Sequence, residues 1–444
     1  MTQKIAMRAI LVGIQTQEVS DSDFHSSLDE LGRLAKTLGV IVIDRLVQKR
    51  DRIDNAVLGR GKRTELARLT GGTGVAPRGP AEQRQKARDI AEEAMAELRL
   101  ARGEPEELAN FVIVDANLTP AQIRNLSLAT GVEVTDRSGI IIDIFHRHAS
   151  TREARLQVEI ARLKYLAPRM RASGGPTERQ GGKGAGESSL ELDRRKVRDR
   201  LSLLKRELES IESESRVRRT RRQDTLRVAL VGYTNAGKSS WMRQLTISSV
   251  LVEDKLFATL DTTVRSLHPQ VTPPILVSDT VGFIQQLPHD LVASFRSTLE
   301  EAKEASLLLH VVDASDPAFT AQLQVTREVL GDIGALEGRS MLVLNKIDRC
   351  TPAQIAQLSI DYPDAIQVSA KNPDDVIRMH SIIVDDFAGA LEELSLIVPY
   401  SRTALIGEIH KRARVLSELF EDDGVHYQLK ASPLEAERLR GMLA

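Results

Sequence analysis

One glycine-rich segment constrains the fold of this chain more than any other feature. The segment is Gly232-Tyr233-Thr234-Asn235-Ala236-Gly237-Lys238-Ser239, and it lies between the apolar run Leu226–Val231 and a stretch of helical character. Its glycines let the backbone turn so that several N–H groups converge on phosphate groups. Lys238 adds a positive charge for the β- and γ-phosphates, and the Ser239 hydroxyl can bind Mg²⁺. The order strand, loop, helix predicts a phosphate loop in an α/β domain.

A second motif follows another buried-strand pattern. Asp279-Thr280-Val281-Gly282 ends the apolar run Ile275–Ser278. Asp279 can hold the metal ion through a water molecule, and Gly282 lets a backbone N–H approach the γ-phosphate. This motif therefore predicts the metal and γ-phosphate side of the same site.

Two further motifs select the base. Asn345-Lys346-Ile347-Asp348 follows the strand pattern Met341–Leu344, and Ser369-Ala370-Lys371 comes later. The Asp348 carboxylate can accept both N–H groups of the guanine edge, whereas adenine offers no such pair. The backbone N–H of Ala370 can meet guanine O6. The four motifs in this order predict a guanine-nucleotide switch that binds GTP and GDP.

The amino-acid composition is ordinary, with one local exception. The 444 residues carry a formal net charge of −1, so the chain as a whole has no bulk attraction to nucleic acid. Between Arg147 and Arg222, however, 21 Lys and Arg stand against 11 Asp and Glu. Cys350 is the single cysteine, and no stretch approaches the roughly 18 apolar residues of a membrane span. These features predict a cytoplasmic protein with no membrane partner and one basic segment.

Residues 1–150 alternate between strand and helix patterns. The predicted strands are Ala9–Ile14, Val40–Leu46, Phe111–Val114 and Val132–Val134, and the predicted helices are Phe24–Leu38 and Pro120–Ala129. Such alternation is typical of a small α/β domain with a mainly parallel sheet. Gly59–Lys62 is predicted as a turn, and Ala81–Glu107 as an inserted, exposed helix.

Residues 151–224 have the pattern of two helices joined by a loop. The second helix carries apolar residues at the 4-3-4-3 spacing of a coiled coil, namely Val197, Leu201, Leu204, Leu208 and Ile211. Residues 168–187 are rich in Gly, Ser and Arg, which predicts a flexible tip that continues neither helix. The simplest arrangement is an antiparallel helical hairpin within a monomer; a homodimeric coiled coil is the alternative.

The remaining residues complete an α/β architecture. Residues 225–390 contain all four nucleotide motifs and form the expected phosphate-loop GTPase domain. Residues 391–444 show a strand pattern at Leu396–Pro399, a helix at Ala404–Leu419 and a final helix from Pro433. We expect a GTPase domain preceded by a small α/β domain with a helical hairpin and followed by a small α/β C-terminal appendage.

Longer motifs outside the nucleotide site point to one family. Upstream lie Asp136-Arg137-Ser138-Gly139-Ile140-Ile141-Ile142-Asp143-Ile144-Phe145 and Thr151-Arg152-Glu153-Ala154-Arg155-Leu156-Gln157-Val158-Glu159. Further on come Arg179-Gln180-Gly181-Gly182-Lys183-Gly184 and Glu191-Leu192-Asp193-Arg194-Arg195. With the phosphate loop and the segment Phe257-Ala258-Thr259-Leu260-Asp261, these motifs make nearly the whole chain resemble the HflX family of GTPases.

The resemblance implies a Mg²⁺-dependent GTPase that binds the large ribosomal subunit and separates stalled or hibernating ribosomes. It also implies that Phe257–Asp261 is the first switch, with Thr259 joining Ser239 as a Mg²⁺ ligand. The hairpin tip would lie near the peptidyl transferase centre. The candidate contacts to ribosomal RNA are basic residues in and beside the tip: Arg169, Arg171, Arg179 and Lys183. Thr262 stands where the family usually has a proline, a departure that touches none of the nucleotide motifs.

Two residues set expectations about catalysis. Phe283 follows Gly282 where many GTPases carry a water-positioning glutamine, so hydrolysis without a partner should be slow. Packing of Phe283 beneath the switch and a substitute role for Gln285 or Gln286 both stay open. Asn235 in the phosphate loop is typical of relatives that bind K⁺ beside the β- and γ-phosphates, with capping of a turn as the alternative.

Two other classes of function are compatible with the sequence. A ribosome-assembly or RNA-binding factor would use GTP as a timer on precursor particles. An ATP-driven RNA remodeller would use the N-terminal α/β domain as a second nucleotide site. Neither Gly59–Lys62 nor Gly181–Gly184 has the full phosphate-loop spacing with a following Ser or Thr, which favours a turn or an RNA contact there.

Overall fold

The chain divides into two compact units, one formed by the described residues up to Leu208 and the other by those beyond it. The computed structural model describes residues 6–75, 81–103, 105–173, 189–220, 225–246, 256–257, 263–285, 301–389 and 391–443. Within these ranges, no helix combines the length and the apolar character needed to cross a membrane.

The N-terminal unit is built around a four-stranded parallel sheet in the order β2-β1-β3-β4. Its elements are β1 (Arg8–Gln15), α1 (Asp21–Thr37), β2 (Ile41–Lys49), α2 (Arg60–Thr70), α3 (Ala81–Arg102), β3 (Phe111–Val114), α4 (Pro120–Thr130), β4 (Glu133–Asp136) and α5 (Arg137–His148). Ile10, Val12 and Val112 are fully buried, as expected for central parallel strands that are covered on both faces. The predicted parallel α/β fold is confirmed.

Two predictions for this unit are wrong. Gly59–Lys62 is not an isolated turn, because Arg60 begins helix α2 and Gly59 is its N-cap residue. Glycine is accepted at an N-cap, and the Gly59 N–H donates to Gln48 Oε1 at 2.9 Å. Helix α3 is not simply exposed either, since Ala91 and Met95 on one of its faces are buried.

Two long helices follow, α6 (Arg152–Ser173) and α7 (Ser189–Thr220). The predicted apolar seam of α7 has lower exposure than its surroundings: Leu204 is buried, and Val197, Leu201, Leu208 and Ile211 are half-buried. Arg152 Nη2 donates to Glu207 Oε1 at 2.5 Å and links the two helices.

The prediction that the first helix of the hairpin ends at Pro168 is wrong, since α6 continues through Pro168 to Ser173. Proline removes a backbone donor and disturbs the preceding turn. In the same turn, Arg169 Nη1 donates to the Tyr165 carbonyl at 2.6 Å. Residues 174–188, which include most of the predicted tip, lie outside the described residues.

The second unit contains a six-stranded sheet in the order β10-β9-β8-β5-β7-β6, parallel except for β6. Its elements are β5 (Leu226–Val231), α8 (Lys238–Thr246), β6 (Thr263–Ser266), β7 (Ile275–Asp279), β8 (Leu307–Asp313), α9 (Phe319–Asp332), β9 (Arg339–Asn345), α10 (Pro352–Asp361), β10 (Ile366–Gln367) and α11 (Pro373–Ala388). The carboxyl ends of its parallel strands meet at one edge, which is where ligands bind in open α/β sheets. All four nucleotide motifs lie at that edge.

The same unit ends in a three-stranded antiparallel sheet, in the order β11-β13-β12. Its elements are β11 (Glu392–Val398), α12 (Ala404–Arg412), β12 (Arg414–Glu421), β13 (Gly424–Ala431) and α13 (Pro433–Leu443). The expected helix Ala404–Leu419 is therefore too long. The turn at Asp422–Gly424 lets residues 414–421 pair with β13, and this tertiary pairing overrides the local helical pattern. The expected α/β appendage is confirmed.

Candidate nucleotide site

The phosphate loop joins the end of β5 to the start of α8, as its sequence predicts. Gly237 has a φ of 103°, and a Cβ at this position would lie 2.1 Å from Asn345 Nδ2. Only glycine tolerates both that conformation and that contact. Asn345 Nδ2 also donates to the Ala236 carbonyl at 2.7 Å. The third motif therefore holds the phosphate loop in place from one side.

Lys238 is the first residue of α8 and is almost completely buried. Its Nζ donates to the carbonyls of Gly232 at 3.0 Å and Tyr233 at 2.8 Å. Burial lowers its pKa to about 8, although the nearby Asp279 carboxylate opposes this shift. A phosphate group would replace neutral carbonyl partners with charged oxygens, which is the stronger type of hydrogen bond.

The metal side of the site brings together Ser239 and Asp279. Ser239 Oγ donates to Asp279 Oδ2 at 2.7 Å, and Asp279 is fully buried at the end of β7. Oxygen atoms of this kind are the ligands that Mg²⁺ prefers, so the pair fits the expected metal. Of the expected first switch, Phe257 is buried with a φ of 59°. Its other members, Ala258, Thr259, Leu260 and Asp261, lie outside the described residues.

The second motif is attached to the central strand β5. Thr280 Oγ1 donates to the Leu230 carbonyl at 2.8 Å, and Val281 is buried. A Cβ at Gly282 would lie 2.8 Å from Thr234 Cγ2 and 3.1 Å from Lys238 Nζ. Only glycine therefore allows this backbone to approach the phosphate loop so closely.

Phe283 is buried, with 2% of its surface exposed. Its N–H donates to the Gly232 carbonyl at 3.1 Å, and its carbonyl accepts from the Thr234 N–H at 2.8 Å. Phe283 is thus buried in the structure, while its packing beneath the first switch stays a prediction. The Gln285 N–H donates to the Tyr233 hydroxyl at 2.7 Å, and Gln286 lies outside the described residues.

Asp348 lies in a short 3₁₀ turn, Ile347–Arg349, at the base side of the site. Ser369 Oγ donates to its Oδ1 at 2.7 Å, and Lys371 Nζ lies 3.5 Å from its Oδ2. The hydrogen bond from Ser369 and the charge of Lys371 hold the Asp348 pKa below its usual range. An ionised carboxylate has several lone pairs, so it can accept two further N–H groups from a base edge.

Two neighbouring residues connect this base side to the phosphate loop. Asn345 Oδ1 accepts from the Ala370 N–H at 3.2 Å. Lys346 Nζ donates at 2.7 Å to both the Asn235 carbonyl and Asp313 Oδ2. Together with the hydrogen bond on the metal side, these contacts connect all four motifs in one network of hydrogen bonds.

The sequence did not identify two supporting residues, Asp313 and Asp375. Asp313 ends β8 and pairs with Lys346, whereas Asp375 Oδ2 accepts from the Ser369 N–H at 2.9 Å. The sequence around each of these two residues contains a pattern that could have identified it. Asp313 ends an apolar strand pattern at the ligand-binding edge, and Asp375 lies in the first turn of a helix that begins with Pro373.

The structure bears differently on the predicted K⁺ ligand and on the predicted RNA contacts. Asn235 is exposed and adopts a left-handed φ of 60°, and its binding of K⁺ stays a prediction. Arg169 does not belong to a flexible tip, because it lies in α6 and its Nη2 donates to the buried Asp136 at 3.0 Å. Arg171 also lies in α6, while Arg179 and Lys183 lie outside the described residues.

Comparison with known proteins gives consistent matches along the chain. Residues 25–76 and 81–146 match the N-terminal region of GTP-binding GTPases, residues 148–222 match their middle region, and residues 227–346 match 50S ribosome-binding GTPases. The chain is 57% identical to GTPase HflX of Gluconacetobacter diazotrophicus, with 98% of each chain covered. It is 37% identical to GTPase HflX of Escherichia coli, over 74% of this chain and 80% of that one. A GTP-binding protein from Sulfolobus solfataricus in complex with GDP is similar at 22% identity and a TM-score of 0.43, covering 86% of this chain and 99% of that one.

Proposed function

This chain belongs to the HflX family of GTPases and is a GTP hydrolase, and from that premise we propose that it separates stalled or hibernating ribosomes. The GTP-bound protein would bind the large ribosomal subunit and thereby separate the two subunits. The observation that carries the proposal is the match of residues 227–346 to 50S ribosome-binding GTPases. The basic excess between Arg147 and Arg222 supports it, because clustered positive charge attracts phosphate-rich RNA.

Each nucleotide motif has a role in this proposal. The phosphates would be held by Gly232, Tyr233, Thr234, Asn235, Ala236, Gly237 and Lys238, with Thr280, Val281 and Gly282 beside the γ-phosphate. Ser239 and Thr259 would bind Mg²⁺ directly and Asp279 through water, and the base would be held by Asn345, Lys346, Ile347, Asp348, Ser369, Ala370 and Lys371. When bound, Mg²⁺ supplies positive charge that offsets the charge developing on the phosphate oxygens.

Sedimentation of ribosomes tests the proposal directly. Purified 70S ribosomes are incubated with the protein and a non-hydrolysable GTP analogue, then separated on a sucrose gradient. We expect the 70S peak to fall, free subunits to rise and the protein to sediment with the 50S subunit. An unchanged 70S peak together with binding to immature precursor particles would replace this function with that of an assembly factor.

The hairpin tip gives a second test. Deletion of Ser173–Gly186 removes Arg179 and Lys183, so it should abolish most ribosome splitting and reduce the salt dependence of ribosome binding. Affinity for GTP should stay the same, because no nucleotide motif lies in the deleted segment. A Gly/Ser segment of equal length is the control that separates loss of charge from loss of length. Undiminished splitting by the deletion variant would show that the tip has no role.

A further inference from the structure

The buried Phe283 has no polar side-chain group that could orient the attacking water. Many GTPases place a glutamine at this point, and its amide holds the water in line with the γ-phosphate. Phe283 has an apolar ring and only 2% of its surface is exposed, so it cannot take that part. Another polar group on the γ-phosphate side of the site would have to do so.

Thr234 has a property that distinguishes it within the phosphate loop. Only 7% of its surface is exposed, and its Oγ1 is buried with no hydrogen-bond partner in the described part of the chain. Buried hydroxyl groups almost always have a partner, and the exceptions are often completed by a ligand or water. A hydroxyl has one donor hydrogen and two acceptor lone pairs, so it can bind two groups at once.

Thr234 lies beside Phe283, the residue that takes the place of the water-orienting glutamine. Its N–H donates to the Phe283 carbonyl at 2.8 Å, so the two residues are joined through their backbones. A Cβ built at Gly282 would lie 2.8 Å from Thr234 Cγ2 and 3.1 Å from Lys238 Nζ. The hydroxyl shares its Cβ with that methyl group. Thr234 therefore borders Gly282 and Lys238, which both serve the γ-phosphate in the proposed site.

We propose that the Thr234 hydroxyl is the catalytic group that orients the attacking water in GTP hydrolysis, an inference that rests on the nucleotide-site roles proposed above. The hydroxyl accepts a hydrogen bond from the attacking water and so holds it in line with the γ-phosphorus. The water oxygen forms a bond to the γ-phosphorus as the bond from that phosphorus to the β–γ bridging oxygen breaks. The bridging oxygen leaves with the electron pair, and the proton of the water passes to the released phosphate.

If Thr234 served only to pack against its neighbours, replacing it with valine would not affect hydrolysis. Valine has nearly the same shape as threonine and lacks the hydroxyl, so it would fill the space equally well. Replacing a buried, unpartnered hydroxyl with a methyl group removes a desolvation cost. We therefore expect Thr234→Val to leave the folded protein as stable as the wild type or more stable, which makes an effect on hydrolysis easy to interpret.

Single-turnover hydrolysis by Thr234→Val and Thr234→Ser tests the proposal. The valine variant should hydrolyse GTP about tenfold or more slowly, while serine, which keeps the hydroxyl, should restore most of the rate. Affinities for GDP and for a non-hydrolysable GTP analogue should change by no more than about twofold, since the hydroxyl acts mainly in the transition state. The affinities are measured with fluorescent nucleotides, with and without 50S subunits.

Two results would overturn the inference. The first is hydrolysis by the valine variant at the wild-type rate with normal nucleotide binding. The second is a selective loss of affinity for the GTP analogue over GDP without a fall in the rate constant, which would assign the hydroxyl to γ-phosphate binding alone. Failure of the wild-type protein to bind guanine nucleotides is a separate result, and it would contradict the proposed function itself.

Discussion

The four-stranded sheet and the mainly parallel six-stranded sheet differ in the partners of the cations buried at their carboxyl edges. At the nucleotide edge, the buried Lys238 Nζ donates to two neutral carbonyls, those of Gly232 and Tyr233. At the edge of the N-terminal sheet, the fully buried Arg137 donates to Asp115 at 2.8 Å and also pairs with Glu30. The first cation has partners that a phosphate can replace, whereas the second already has carboxylate partners.

A second ion pair closes the N-terminal edge further. Asp136, at the end of β4, accepts from the Gly139 N–H at 2.9 Å, the Tyr165 hydroxyl at 2.7 Å and Arg169 Nη2 at 3.0 Å. The Arg169 guanidinium also stacks on the Tyr165 ring at 3.2 Å. Asp136 thus caps α5 and fixes α6 to the sheet. Breaking such a buried pair leaves a charge without compensation.

This difference bears on the ATP-driven remodeller considered from the sequence. A second nucleotide site in the N-terminal sheet would have to displace Asp115, Asp136 or Glu30 from their arginines before phosphate could bind. Because each carboxylate is buried and paired, that exchange would cost several kcal/mol. The N-terminal edge is better suited to holding the base of the hairpin than to binding a nucleotide.

The largest effect should follow from changing Asp348, the carboxylate proposed to recognise the base. Asp348→Asn replaces a charged double acceptor with one acceptor and one donor, so GTP affinity should fall by about 10³-fold while binding of xanthosine triphosphate improves. Titration calorimetry measures both. The exposed Asp374→Asn is a matched control and should bind GTP normally. Equal affinity of the wild type for ATP and GTP would show that this edge does not select guanine.

A smaller but substantial effect is expected at the other edge. Asp136→Ala should lower the free energy of unfolding by about 3 kcal/mol, because Arg169 and the start of α5 lose their partner. Urea denaturation measures this, and Asp136→Asn should lose less because it keeps an acceptor. The intrinsic GTPase rate should not change. If Asp136→Ala were as stable as the wild type, the N-terminal edge would not depend on its ion pair.

The sequence predicted the nucleotide edge better than the N-terminal edge, and the reason is physical. The residues of a nucleotide site need fixed types and spacing because they contact a ligand of fixed shape, so the sequence alone predicts roles for Gly237, Lys238 and Asp348. Arg137, Glu30 and Asp115 are brought together by the fold from distant positions, and no local pattern shows that pairing. The prediction at Pro168 failed for a related reason, since the contact of Arg169 with Asp136 forms only in the folded chain and has no local sequence pattern.

The smallest effect concerns the protonation of Lys238. It tests whether phosphate binding depends on the charge of this buried side chain. Burial lowers its pKa from 10.5 to about 8, so Lys238 is charged below about pH 8 and loses its proton above it. Bound phosphate favours the charged form, which raises the pKa again.

Binding of GTP should therefore take up a proton at pH 9 but not at pH 7. Its affinity should be flat below about pH 8 and then fall by up to about tenfold per pH unit. Calorimetry at pH 9 in two buffers of different ionisation enthalpy measures the proton uptake. Lys238→Arg is the control, because arginine stays charged throughout this range and should remove the pH dependence even if binding is weaker. The same slope in the arginine variant would mean that another group titrates, and that Lys238 is charged in the free protein at pH 9.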